Sequence, residues 1–305
     1  MYYRIRHLTR FHYSAPVTES LMEIRMLPRT EGPQSCLSFE LSITPRTQPQ
    51  AYRDYLGNTI HHFSIPGAHK QLQIIAESLM EVKPQPAIPS FLAPEAWEDL
   101  DQAAANDDFW EMLIPSSFAR PTPLLLELMR ELDAVRRDDP LALTLELNSR
   151  LYEAFEYEPH VTHVDSPIDD ALSHRKGVCQ DFAHIMIAIL RQLRIPARYV
   201  SGYLHHRKQD HDRSSDGATH AWVEAWLPSL GWVGFDPTNN LVAGERHIRV
   251  AVGRDYPDVP PTRGVFKGQA DTRLSVGVGV PLEDRSEEHT SELQSQFHLV
   301  CRLLL

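Results

Sequence analysis

The chain has 305 residues, 42% of them apolar and 23% charged, and its 41 acidic against 30 basic side chains give a net charge of −11. That mixture is globular and excludes wholesale disorder. An acidic chain without a Lys/Arg-rich run is a poor ligand for nucleic acid. The start, MYYRIRHLTRFHYSAPV, alternates polar and apolar residues and has no signal-type apolar core. The longest apolar stretch, Ile185–Leu190, is about a third of the ~20 residues that a bilayer span needs. The expectation is therefore a cytoplasmic protein with no membrane contact. Cys36, Cys179 and Cys301 make neither a disulfide framework nor a four-cysteine zinc site.

Length alone suggests two domains, and the pattern agrees. Tyr3, Ile5, His7, Thr9, Phe11 and Tyr13 alternate with polar residues, the period of a half-exposed strand. Ser14-Ala15-Pro16 is expected to break it. Leu37, Phe39, Leu41 and Ile43 repeat the alternation up to Pro45. Gly57-Asn58 sits between Tyr52–Leu56 and Thr59–Ile65 as a hairpin turn, and Leu72, Ile74 and Ala76 open a further strand towards Val82. Residues 1–82 thus read as a small antiparallel β domain. Residues 83–120 read as a proline-rich linker with short helices, the first at Pro94–Ala105. Helices are expected from Thr122 through Val135 and over Leu141–Phe155, then strands at Pro196–Leu204, Ala221–Trp226 and Trp232–Asp236. A last strand carries Leu274, Val276, Val278 and Val280. Strands, then helices, then strands favour an α+β fold, with residues 121–284 as a core that includes the C-terminal strands.

The tail Arg285–Leu305 reads RSEEHTSELQSQFHLVCRLLL. Its first eleven residues, RSEEHTSELQS, resemble one translated frame of a sequencing-library adapter, so 285–305 is set aside as an artefactual extension. On that reading the native C-terminus is lost near Asp284. The alternative is an amphipathic C-terminal helix.

Chemistry concentrates in HRKGVCQDFAHIMIAILRQL, residues 174–193. Phe182, Met186, Ile189 and Leu193 share one helical face, which puts Cys179 at or just inside the N-terminus of a buried helix. Unpaired amides and the helix dipole favour a thiolate there, and Gly177 allows a tight turn before it. Alone, such a cysteine is more often a buried structural residue. Forty-one residues on, THAWVEAW places His220, Trp222, Glu224 and Trp226 on one strand face, and sixteen residues beyond His220 Asp236 closes a short strand in GWVGFDPTNN. Cysteine at a helix start, histidine at a strand start and aspartate on a neighbouring strand are the parts of a thiol triad. In such a triad the histidine takes the thiol proton, the thiolate attacks a carbonyl, and the aspartate fixes the imidazole.

The runs GVCQDFAH, IPARYVSGY and THAWVEAWLPSLGWVGFDPTN resemble the core of the bacterial transglutaminase-like proteins. FHYSAPVTESLMEIRMLPR resembles the N-terminal domain that accompanies this core in one branch of the family. The resemblance is detailed over roughly residues 150–240 and looser over 1–82. It implies a papain-like α+β core, the cysteine-bearing helix packed on an antiparallel sheet, preceded by the β domain. It also implies Cys179, His220 and Asp236 as nucleophile, base and orienting acid in acyl transfer on peptide or glutamine amides through a thioester. Two departures stand out. Arg194 occupies a position where the family usually has glycine, and Thr219 replaces a serine before the histidine.

The Cys179 backbone amide is the expected first oxyanion donor, with Gln180 and Tyr157 as candidates for the second. Trp222, Thr219 and Asp181 are cleft candidates. Trp222, together with Trp226 and Trp232, reads first as packing, and Asp181 as a helix cap. His205, His206 and His211 lie in a polar run, HHRKQDHDRSSDG, best read as a solvated loop. Cys179, His220 and Asp236 could in principle ligate zinc, but a helix-terminal cysteine needs no metal for activation. No acidic calcium loop is present. No cofactor and no metal are expected, and the expected partner is a protein or peptide substrate. A catalytically silent scaffold or peptide-binding protein is the competing function.

Overall fold

The computed structural model describes residues 1–283 except 94, 106 and 208, so the adapter-like tail lies outside the described residues. Four strands open the chain: β1 (Tyr2–Ile24), β2 (Gln34–Thr44), β3 (Gln50–Arg53) and β4 (Thr59–Val82). After them come α1 (Ala96–Ala104), α2 (Trp110–Leu113), α3 (Pro123–Glu131), α4 (Pro140–Ala154), β5 (Glu156–Tyr157), α5 (Ile168–His174), β6 (Lys176–Gly177) and α6 (Cys179–Gln192). The chain then runs through β7 (Ala197–Leu204), β8 (His220–Leu227), β9 (Gly231–Asp236), β10 (Leu241–Val242), β11 (His247–Gly253), β12 (Thr262–Lys267) and β13 (Thr272–Gly279). The fold is α+β with two main antiparallel sheets.

The expected break at Ser14-Ala15-Pro16 is a bulge inside one long strand. The β1–β4 register shifts between His12 and Val17 and again before Glu19. Pro66 and Gly67 of β4 lie opposite the same irregularity. Both strands bend there together, and a proline that cannot donate to the ladder is tolerated at a bulge. The strand read over Tyr3–Tyr13 therefore continues to Ile24, and those read over Thr59–Ile65 and from Leu72 are one long strand.

A second correction concerns the C-terminal strands, expected to belong to the core. β13 pairs with β1 from Arg6–Gly279 to Tyr13–Thr272, and β12 pairs with β1 from Glu19–Lys267 to Ile24–Thr262. Both complete the N-terminal sheet, in which the order is β12-β1-β4-β2 with β13 also on β1 and β3 on β4. Alternation declares a strand but not its partner, and the long β1 offers an edge that both late strands cover.

The second sheet has the order β10-β9-β8-β7-β11. On β8 the residues Ala221, Val223, Ala225 and Leu227 face the main core, where they meet Phe182, Met186, Ile189 and Leu193 of α6. The period-2 and period-3.6 patterns thus meet at one interface. Thr122 caps α3, its hydroxyl accepting the Leu125 N–H at 3.2 Å, and Asp139 caps α4 through the N–H groups of Leu141 and Ala142. Arg191, buried near the end of α6, has no carboxylate ion-pair partner among the described residues. It donates to the carbonyls of Met112, Ile114, Ala197 and Arg254 and to Ser116 Oγ, which ties the α2 segment to the core. The two sheets share a further apolar cluster of Tyr3, Ile5, Met80 and Val82 with Tyr203, Ile248 and Val250.

Candidate active site

The antiparallel connections gather the site at one end of the second sheet. The α6–β7 link is short, so the start of α6 lies over the end of β7. Gly202 near that end pairs with His220, the first residue of β8. Asp236 ends β9, which runs antiparallel to β8, and His247 begins β11 opposite Leu204.

Cys179 is the first residue of α6, so its N–H and that of Gln180 precede the first intrahelical pairing; the Val178 carbonyl takes Asp181 and Phe182. Asp181 reaches back to accept the Val178 N–H at 2.8 Å and the Thr162 hydroxyl at 2.6 Å. Burial, the largest influence, raises its pKa against those two hydrogen bonds. Asp181 therefore caps the helix and anchors the preceding loop rather than facing a cleft. Gly177 has a role other than the expected tight turn. A Cβ there would lie 2.6 Å from Asp181 Oδ2, so the position needs empty space rather than positive φ.

His220 Nε2 and Asp236 Oδ2 are 2.8 Å apart, with His220 almost fully and Asp236 fully buried. The other ring nitrogen, Nδ1, is buried without a hydrogen-bond partner of standard geometry among the described residues. Cys179 is close enough to favour the protonated ring by hydrogen bonding and charge. Burial alone would lower the His220 pKa, but Asp236 and then Cys179 reverse this and raise it to about 10. Asp236, which burial would raise, is held well below the usual carboxylate range by His220 and His247.

Asp236 accepts five N–H groups. Oδ2 takes His220 Nε2, Asn239 Nδ2 at 2.8 Å and His247 Nε2 at 3.2 Å; Oδ1 takes the backbone N–H groups of Thr238 and Asn239 at 3.1 and 3.3 Å. His220, Asp236 and His247 offer ligand atoms within 4.8 Å of one another. The facing atoms are already matched as N–H donors on one carboxylate, and a cation would have to displace both ring protons. The donor set favours a proton-linked network.

Sequence reasoning missed His247 and Asn239. Asn239 stands in the quoted GWVGFDPTNN, where a polar side chain just past a buried aspartate was the available signal. Its Oδ1 also accepts the N–H groups of Arg213 and Ser214 at 2.8 and 3.1 Å, which fastens the 205–219 segment to the site. Within it, His205, His206, Arg213 and Ser214 are held by partners rather than merely solvated. His205 bonds the Val280 carbonyl at 2.7 Å, and His206 lies 3.2 Å from Asp212. His211 is exposed.

Tyr157 pairs with Gly177 in the two-stranded β5–β6 sheet, and its hydroxyl lies 3.2 Å from Ser215 Oγ. Its pKa is raised by burial and, among lesser influences, by Cys179. Gln180 instead spends its side-chain amide on the Val164 carbonyl at 3.0 Å. Trp222 is buried, its ring roughly parallel to that of His220 at 6.0 Å, a wall behind the imidazole. Trp226 and Trp232 both pack on Phe109, and Arg198 lies over Trp232. Thr219 is half-buried ahead of β8.

Residues 3–81 match the bacterial transglutaminase-like N-terminal region, and residues 132–237 match the transglutaminase-like superfamily. The chain belongs to the bacterial transglutaminase-like family. An uncharacterised protein of Mycobacterium leprae is 32% identical over 278 residues, covering 91% of this chain and 97% of that one. A protein-glutamine gamma-glutamyltransferase of Pseudomonas aeruginosa is 37% identical over 118 residues, 35% of this chain and 17% of that one. Among solved structures, one from Cytophaga hutchinsonii, provisionally described as a cysteine protease, superposes with a TM-score of 0.71 at 20% identity, covering 94% of this chain and 92% of that one. The matched core is that of the transglutaminase-like superfamily, and the Cytophaga superposition shows a shared fold. Among the described residues no helix is long and apolar enough to cross a membrane.

Proposed function

We propose that this chain is a thiol-dependent acyl-transfer enzyme acting on amide bonds of a protein or peptide. The observation that carries the reading is the buried His220–Asp236 pair at the helix end that presents Cys179. The raised His220 favours an imidazolium beside the sulfur, and the unpaired N–H groups at the start of α6 favour negative charge on it.

Sγ of Cys179 attacks the amide carbon, and the carbonyl oxygen becomes an oxyanion opposite the Cys179 N–H. Tyr157 is the better candidate for the second donor, because the Gln180 side-chain amide is committed to the Val164 carbonyl. The C–N bond then breaks, and His220 gives its proton to the leaving nitrogen. The thioester is resolved when water or a primary amine loses a proton to His220, bonds to the acyl carbon and expels Sγ. Asp236 holds the ring throughout. The glutamyltransferase relative supports a glutamine side chain as one substrate.

Iodoacetamide labelling at pH 6, read by peptide mass spectrometry, tests the nucleophile. Cys36 is the internal control, because burial raises its thiol to about 11. Labelling confined to Cys179 and lost in His220→Ala is expected. In chains ending at Asp284, equal or negligible labelling of Cys179 and Cys36 would favour the scaffold reading. Ammonia release from a glutamine peptide, with and without an added primary amine, then separates hydrolysis from transfer.

A further inference from the structure

β11 is an outer strand of the second sheet, and two side-chain amides of the N-terminal domain cover its free edge. Gln34 accepts the Arg249 N–H through Oε1 and donates to the Arg249 carbonyl through Nε2, both at 2.8 Å. Asn58 accepts the Val252 N–H through Oδ1 and donates to the Val252 carbonyl through Nδ2, again both at 2.8 Å. Each amide imitates the two-way bonding of a neighbouring strand. Asn58 is itself held by Asp54 and Arg29. The clamp therefore grips β11 at two points, and the first residue of β11 is His247.

The Gly244 N–H points to His247 Nδ1 at 3.3 Å, which leaves the proton on Nε2 to reach Asp236. Oδ2 of Asp236 is then held from three directions: His220 on β8, Asn239 in the turn after β9, and His247 on β11. We propose that His247 is a positioning residue that fixes the Asp236 carboxylate against His220, and that the N-terminal domain sets its place by gripping β11 through Gln34 and Asn58. The consequence for turnover rests on the thiol-enzyme reading above; the positioning itself does not. Burial keeps His247 below the ordinary histidine value despite Asp236, so it serves as a neutral donor. Among the described residues, the other charged or titratable groups that act on the two rings are Cys179 from α6, His206 from the 205–219 segment and Arg246 ahead of β11.

The test is an NMR pH titration of the His220 ring, run with Cys179 alkylation by iodoacetamide at pH 6, on the full chain. His247→Phe is expected to lower the apparent His220 pKa by at least about one unit and to slow alkylation about tenfold. His247→Gln, whose amide can present an N–H where Nε2 stood, is expected to restore most of both. The double variant Gln34→Ala, Asn58→Ala is expected to move both readouts the same way, with little further change in the His247→Phe background. Should His247→Phe fail to fold, His247→Gln against the shorter His247→Asn gives the same comparison. An unchanged His220 titration in His247→Phe overturns the positioning role, and fully additive effects overturn the clamp. A raised His220 in the parent chain with an inert Cys179 would refute the enzyme and leave the positioning role standing.

Discussion

Replacing Asp236 by Asn tests the centre of the site most sharply. The carboxylate takes five N–H groups, three on Oδ2 and two on Oδ1. An amide has one oxygen, so in either orientation its NH2 confronts at least two donors, and the charge facing His220 is gone. Removing one partner of a buried pair costs about 3–5 kcal/mol, a large share of the ~5–15 kcal/mol that holds a domain together. The pH dependence carries a sign. His220 is raised, so its contribution is fully present below about 6.5, its unfolded value, and is lost as pH climbs through about 10. Asp236 is lowered, so its contribution is present above about 3.9 and lost as pH falls through its depressed folded value. Both act together between roughly pH 4 and 6.5. In Asp236→Asn, burial pushes His220 down with only Cys179 in opposition, and the ring becomes neutral. Urea denaturation from pH 4.5 to 10 should therefore show the largest gap between parent and variant near pH 5–6, narrowing towards pH 10. A gap under about 1 kcal/mol at pH 5.5, or one independent of pH, would refute the buried ion pair. Where the variant folds, turnover should fall by about 10⁴, as for other triads whose aspartate becomes asparagine.

Three further outcomes follow from single positions. Gly177→Ala puts a methyl 2.6 Å from Asp181 Oδ2, which Thr162 and the Val178 N–H hold in place. It should cost about 1–3 kcal/mol in urea denaturation and slow Cys179 alkylation, and an unchanged protein would show that the helix start is loose. Arg194 has φ of 59°, the left-handed conformation that glycine tolerates best, and its only ion pair among the described residues is an exposed contact to Asp101 at 3.8 Å. Arg194→Gly should raise stability by up to about 1 kcal/mol with alkylation unchanged; a loss of stability would contradict the strain. Arg191→Met would leave the carbonyls of Met112, Ile114, Ala197 and Arg254 without their buried donor. Hydrogen exchange should then quicken first around residues 110–116, at a stability cost of about 3 kcal/mol or more, and uniform quickening would argue against a local tie.

The parts of this molecule that the sequence declares are those governed by near neighbours along the chain. The apolar face of Phe182, Met186, Ile189 and Leu193 predicts a helix wherever it lands, and with Gly177 it locates Cys179 at the helix start. The alternations in THAWVEAW and GWVGFD likewise predict strands that end in His220 or Asp236. Pairing partners are another matter. Thr272–Gly279 is visibly a strand, yet only the long edge of β1, some 260 residues away, decides which sheet it joins. His247 shows the same limit at the site itself. In GERHIRV nothing local distinguishes it from any strand histidine. A buried carboxylate does require donors, so once Asp236 is placed inside the protein, several N–H groups must converge on it. Those of Thr238 and Asn239 come from the adjoining turn, and any reader of DPTNN could suspect them. The donor from β11 exists because β7 lies between β8 and β11 and because Gln34 and Asn58 hold the outer strand in place. That arrangement is a property of the assembled sheets, and no stretch of sequence contains it.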